Sequence, residues 1–289
     1  MAESPAHRFG QMIGELLEAV VRPQLDEFCQ QQGLYLDHQH KSRVARRGKK
    51  ISLTDGYGNV HDLDFVIERG GGDEQMGEPI AFIEVAWRRY TKHSRNKAQE
   101  IQGAILPLAE KYRWNNPFLG TVLAGEFTDG SLEQLRSQGF HVLFFPYETL
   151  MEAFASENID IRFGEETPDR DFQQAIDQLT SSSAARIANI CTRLVELNKV
   201  DQDRFFGALK ERLQRRVVRV FLTPLYGRIN EFVTVDAAVH FLDQHQIYEG
   251  SGEFRRYDVR IEFSNGDKVD GSFSAKDEVR RFLAYATQQ

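Results

Sequence analysis

Apolar residues between positions 9 and 31 fall at Met12, Ile13, Leu16, Leu17, Val20, Val21, Leu25 and Phe28. Spacings of three and four predict an amphipathic helix, with Pro23 a place for a bend or break. The period then shortens. Residues 51–54 predict a strand, Asp55-Gly56-Tyr57-Gly58-Asn59 its turn, and residues 60–68 a second strand. Residues 69–77 are Gly-rich and polar, a loop. Residues 79–87 (PIAFIEVAW) are almost wholly apolar, as in a central strand buried on both faces. Helical spacing returns at Ala98, Ile101, Ile105, Leu108 and Ala109, predicting a helix over 95–112. A strand over 118–124, a helix over 131–137 and a strand over 141–145 follow. Asp129 or Ser131 can cap the short helix, and Gly139 can end it. The order αβββαβαβ predicts an α/β core with a mixed central sheet, in which a meander supplies antiparallel strands and helical crossovers add parallel ones.

Beyond residue 147 the pattern changes. Helices are expected at 148–155, 171–179, 184–198 and 201–220, then a helix at 235–245. A hairpin of strands 257–263 and 269–274 turns at Asn265-Gly266, and a helix over 277–286 closes the chain. The expected organisation is a core over 1–150, a connecting segment over 151–166, a helical segment over 167–230 and a small α+β domain over 231–289.

Composition narrows the class. A chain of 289 residues, 41% hydrophobic and 27% charged, is long enough to bury a sizeable core. Cys29 and Cys191 cannot build a disulfide framework, and no Cys/His spacing suits zinc. The opening MAESPAHRFGQ has no basic segment leading into an apolar run, and no apolar run is long enough to cross a bilayer. A cytoplasmic location without a membrane partner is the expectation. The net charge of −7 argues against a protein that coats nucleic acid nonspecifically. Local basic stretches remain at 40–50 (HKSRVARRGKK), 87–97 (WRRYTKHSRNK) and 210–219. No Gly-rich loop of the nucleotide-binding type follows Arg69-Gly70-Gly71-Gly72, so ATP hydrolysis is not expected.

Two strands carry the candidate chemistry. Alternation puts Asp62 and Asp64 on one face of the 60–68 strand. Glu84 lies in an apolar strand, where a carboxylate is costly unless paired or bound to a cation. One loop joins the two strands, so Asp64 and Glu84 can stand about one strand spacing apart, roughly 4.8 Å. Hard carboxylate oxygens suit Mg²⁺, which keeps waters and an open position for a phosphate oxygen. The plainer alternative for Glu84 is a buried ion pair with Arg88 or Lys97. His61 and His93 have no ligand spacing, and Trp87 and Tyr90 read as core more readily than as base-stacking groups.

The αβββαβαβ order, with Asp64 and the Glu84-Val85-Ala86 tripeptide, resembles the PD-(D/E)XK nuclease superfamily over roughly the first half of the chain. The resemblance implies a restriction-endonuclease-like core and Mg²⁺-dependent (or Mn²⁺-dependent) hydrolysis of phosphodiester bonds in DNA. It implies metal ligation by Asp64 and Glu84, joined by Asp62 and by an acidic residue of the first helix. Glu15 or Glu18 can fill that last place, Glu15 being taken into the expected set. The family's lysine falls at Ala86. Either Lys97, from the following helix, or Arg88, two residues along the strand, would supply the positive group. Gln99 and Glu100 are further candidates on that helix. Otherwise the core only binds, as a DNA-binding or scaffold subunit. Backbone contacts to DNA would come from Arg46, Arg47, Lys49 and Lys50 and from Arg88, Arg89, Lys92 and Arg95. A homodimer or larger assembly, a prokaryotic restriction or anti-phage setting and a defence-system protein partner complete what the resemblance implies.

Overall fold

The first apolar stripe folds as α1 (Pro5–Gln32), which runs through Pro23 instead of ending there. Ser4 caps its N-terminus by accepting from the His7 N–H, and Gly33 closes it in the left-handed conformation (φ 64°). The structure, a computed structural model, describes residues 4–287 apart from 47, 215, 226–227, 246–253 and 265. The chain divides into two compact units, Met1–Leu209 and Lys210–Gln289.

In the first unit α1 is followed by β1 (Tyr35–His38), β2 (Ile51–Thr54), β3 (Val60–Leu63), β4 (Phe65–Arg69) and β5 (Glu78–Arg88). Then come α2 (Ser94–Lys111), β6 (Phe118–Gly125), α3 (Asp129–Ser137), β7 (His141–Pro146) and α4 (Tyr147–Ala155). Three more helices follow, α5 (Asp169–Thr180), α6 (Ala184–Leu197) and α7 (Lys199–Leu213). The main sheet has the order β1-β4-β5-β6-β7. β4 pairs antiparallel with β1 and β5, whereas β6 pairs parallel with β5 and β7. The class is α/β with a mixed central sheet.

The meander differs from the expected one. The 60–68 strand breaks at Asp64, and its first half pairs with β2 in a separate two-stranded ribbon. The ribbon's apolar residues Ile51, Leu53 and Leu63 join the cluster formed with α2, which secures it outside the main sheet. Its place beside β4 is taken by β1, which has no alternating apolar pattern. Asp37 of β1 and Glu68 of β4 are buried, and Arg43 reaches both, at 2.8 Å from Asp37 Oδ2 and 2.7 Å from Glu68 Oε2. Arg46 adds a second pair to Asp37.

Two layers cover the sheet. On one face Phe82 and Ala86 of β5 and Leu123 of β6 pack with Ala98, Ile101, Ile105 and Leu108 of α2 and Leu132 and Leu135 of α3. On the other, α1 packs on β5, and α5 and α6 pack on α1. Phe9, Phe163 and Phe172 form an aromatic cluster there, and Phe205 of α7 meets Phe118 of β6 edge to face at 5.4 Å. The helical segment is therefore part of the first unit's core.

The second unit contains β8 (Val217–Pro224), β9 (Asn230–Phe232), α8 (Val235–Gln244), β10 (Tyr257–Phe263), β11 (Lys268–Phe273) and α9 (Lys276–Thr287). Its antiparallel sheet has the order β11-β10-β8-β9. The helix expected over 201–220 ends at Leu213, and Val217 to Val220 belong to β8 instead. The small domain therefore begins well before residue 231. β-branched Val217, Val218 and Val220 favour the strand, and β10, some forty residues later in sequence, supplies its partner. Asn265 of the expected turn lies outside the described residues.

Candidate metal centre

Asp64 stands at the bend between β3 and β4, where its Oδ2 accepts the Val85 N–H at 2.8 Å. That bond fixes the side chain across the gap to β5. The register pairs Phe65 with Ile83, so Asp64 comes beside Glu84. Glu84 lies between Phe82 and Ala86, both members of the apolar cluster under α2. Its Oε1 is buried with no hydrogen-bond partner among the described residues.

Glu18 of α1, only 5% exposed, is near enough to feel the charge on Asp64. Gln39 Nε2 donates to its Oε1 at 2.7 Å, and His40 Nε2 lies 3.0 Å from its Oε2. The three carboxyls sense one another. Burial pushes Glu84 well above the usual carboxylate range, and the charge on Asp64 pushes it further. Burial also raises Asp64, against the pull of the Val85 N–H, Lys97 and His40. Burial and then Asp64 raise Glu18, with His40 and Gln39 opposing. Lys97 of α2 thus lies close enough to pull down both Asp64 and Glu84.

The expected set is only partly assembled. Glu15 is exposed, lining a small apolar slot with Met12, Leu16 and Ala19, and the first-helix acid that senses Asp64 is Glu18. A signal for this exists in the sequence: Glu18 shares a helix face with Val21, Leu25 and Cys29, all buried. Gln39 and His40 carry no such signal, since their role depends on where β1 docks. Asp62 is turned away and exposed, held by Lys50 Nζ and Ser52 Oγ, each at 2.6 Å. The bend at Asp64 interrupts the alternation that would have kept the two aspartates on one face.

Ala86, 5% exposed, shares its apolar cluster with Ala98 of α2. Lys97, one residue before Ala98 on the same helix, is the lysine whose charge reaches Asp64 and Glu84. Lys97 Nζ lies 3.2 Å from Glu100 Oε2, and Arg88 Nη2 lies 3.5 Å from the same oxygen. Arg88 also donates to the Trp87 carbonyl. Gln99 is exposed.

Among the expected phosphate contacts, Lys92 and Arg95 are exposed and make no ion pair among the described residues, and Lys49 is exposed. Lys50 is exposed but paired with Asp62. Arg89 packs on the rings of Tyr90 and Phe172, toward the α5 layer. Arg46 is excluded from the set. Its guanidinium is buried, bonded to Asp37 and to the carbonyls of His38, Lys41, Gly48 and Lys50. Arg47 lies outside the described residues.

Among the described residues no three His, Cys, Asp or Glu side chains are grouped closely enough to hold an ion by themselves. Mg²⁺ asks for less: one or two carboxylates, with waters and phosphate oxygens completing its shell. The unpartnered Oε1 of Glu84 beside Asp64 fits that demand. No helix among the described residues is long and apolar enough to cross a membrane. No family model and no curated protein matches this sequence. A crystal structure described as that of a protein of unknown function, AF1548, is similar at 13% identity and a TM-score of 0.27, over 68% of this chain and 97% of that one.

Proposed function

We propose that this chain is a metal-dependent endonuclease that hydrolyses phosphodiester bonds in DNA on a restriction-endonuclease-like core of the PD-(D/E)XK type. The observation that carries the reading is the pairing of two half-buried carboxylates on adjacent strands, Asp64 and Glu84, with Glu84 Oε1 buried and unpartnered among the described residues. Burying carboxylates side by side is unfavourable unless a cation joins them. Asp64 and Glu84 would hold Mg²⁺ or Mn²⁺, with Glu18 beside them. A bound ion of this kind lowers the pKa of a water and offsets charge building on the phosphoryl group. Lys97 takes the part of the absent motif lysine, orienting the attacking water or countering the oxyanion charge. Lys92 and Arg95, exposed near the start of α2, would meet backbone phosphates.

The test is cleavage of supercoiled and linear DNA by the purified protein in Mg²⁺ or Mn²⁺. Asp64→Ala and Glu84→Ala are expected to abolish cutting. Lys97→Ala should cost about 10²- to 10³-fold in kcat, and Arg88→Ala much less, because the charge acting on Asp64 and Glu84 is that of Lys97, while Arg88 donates to the Trp87 carbonyl. Equal activity in wild type and Asp64→Ala would refute the assignment.

A second reading has the buried Ala86 in its favour: a core that has lost its chemistry and serves as a DNA-binding or scaffold subunit. It predicts DNA binding without cutting, unchanged by Lys97→Ala beyond the loss of one charge. Either reading suits a prokaryotic restriction or anti-phage system with a protein partner, and cutting of both strands would call for two copies of the site.

A further inference from the structure

β6 runs parallel to β5, and its residue opposite Glu84 is Thr121. Paired residues of neighbouring strands project to the same face, with side chains about one strand spacing apart, roughly 4.8 Å. Thr121 is fully buried, and its Oγ1 has no hydrogen-bond partner among the described residues. Glu84 Oε1 shares that condition. Two unsatisfied polar atoms, an acceptor and a hydroxyl, therefore stand on adjacent strands inside an apolar layer. Buried polar groups are normally bonded, so two neighbours left open together mark a place where a third species completes the network.

Packing gains nothing from this threonine. Leu123, two residues along on the same face of β6, belongs to the apolar cluster with Phe82 and Ala86. Valine has the shape of threonine and would fill the same space without an unsatisfied hydroxyl. The hydroxyl is thus a cost to the metal-free fold and a benefit only when Glu84 is charged and held in one orientation.

We infer that Thr121 is a positioning residue for the metal centre: once an ion is bound, its hydroxyl donates to the Glu84 carboxylate through a water and fixes which oxygen faces the ion. The inference rests on the metal-dependent reading of Asp64 and Glu84. Groups that orient ligating carboxylates in this way typically contribute 10- to 100-fold to metal affinity.

The experiment is calorimetric titration of the full-length protein with MnCl₂, for wild type, Thr121→Val, Thr121→Ser and Asp64→Ala, with thermal unfolding of each in chelator. Thr121→Val is expected to weaken Mn²⁺ binding by about 10-fold or more. Its melting temperature without metal should be equal to or above that of wild type. Thr121→Ser, which restores the hydroxyl, should recover most of the affinity. Wild-type affinity in Thr121→Val, with binding lost in Asp64→Ala, would overturn the role of Thr121 and leave the metal centre standing. Failure of the wild-type protein to bind Mn²⁺ would overturn both.

Discussion

Glu84 sits where water cannot easily stabilise its charge, and the residues around it decide when it ionises. Burial and Asp64 raise its pKa, and Lys97 only partly offsets them. Asp64 and Glu18 shift in the same direction, also chiefly through burial. In the unfolded chain a glutamate ionises near pH ~4.3. Below that value both states hold the proton and the stability contribution of the raised groups is fully present. As pH rises through the folded-state values, the native state must give up protons it holds more tightly, and that contribution is lost. Asp55 and Asp62, pulled down by His61 and Lys50 first among their partners, act in the opposite sense and only at lower pH. The metal-free protein is therefore expected to lose stability from about pH 5 upward. Glu84→Gln should flatten that loss and raise the melting temperature at pH 8 by about 2–4 °C for each kcal/mol relieved. Added Mn²⁺ should stabilise wild type at pH 8 and leave Glu84→Gln nearly unmoved, since only a native state that binds the ion gains from it. Thermal melts across pH, with and without metal, check both. This much of the site is legible in the sequence, because a carboxylate in an otherwise apolar strand has few uses. Glu18 was half legible, from its helix face, whereas Thr121 was not, since a lone threonine in a β-strand is ordinary.

At the scale of elements, β1 shows how a strand can be secured by charge. Asp37 and His38, on its opposite faces, are both buried, and only Leu36 offers apolar area of the usual kind. Arg43 closes the gap with bonds to both Asp37 and Glu68 and to the carbonyls of Gly72 and Gln75. One guanidinium thus ties β1 and β4 to the loop after β4. Replacing it leaves two carboxylates buried with reduced compensation, so Arg43→Ala is expected to destabilise the protein by about 3–5 kcal/mol. Urea denaturation checks the magnitude. Amide hydrogen exchange should show β1 opening first, and a variant with unchanged β1 protection would contradict this account. The network also explains why β1 was missed in the sequence. Its partners are spread over residues 37–75, and no local period records a contact between Arg43 and an acid 25 positions away, Glu68. The strands β5, β6 and β7 were legible because each fills its interior with apolar residues. β8 was not: Val217 and Val218 follow Leu209 and Leu213 at helical spacing, and only pairing with β10 decides for the strand.

For the whole molecule the consequential feature is where the first unit ends. A core closing near residue 150 would leave one side of α1 bare, because Phe172, Ile176 and Leu179 of α5 and Ile190 and Leu194 of α6 are all buried in this layer. α7 and the residue before it, Asn198, fasten the arrangement further. Gln202, buried, accepts from Gln24 Nε2 of α1 at 2.6 Å, Asn198 donates to the Phe144 carbonyl of β7, and Phe205 meets Phe118. Fully burying one large apolar side chain contributes about 1.5–3 kcal/mol, so losing three helices removes more than the whole net stability of an ordinary domain. The second unit has its own core, built from Val220, Leu222, Tyr257, Ile261 and Leu283. Two truncations separate these statements. A fragment ending at residue 150 is expected to aggregate or to melt without a cooperative transition. A fragment ending at residue 213, the last of α7, should unfold cooperatively and keep the proposed Mn²⁺ binding. If cleavage survives in that longer fragment, the second unit serves target choice or assembly. If Mn²⁺ binding survives and cleavage does not, the second unit contributes to holding DNA, and a well-folded fragment ending at residue 150 would disprove the dependence on α5–α7.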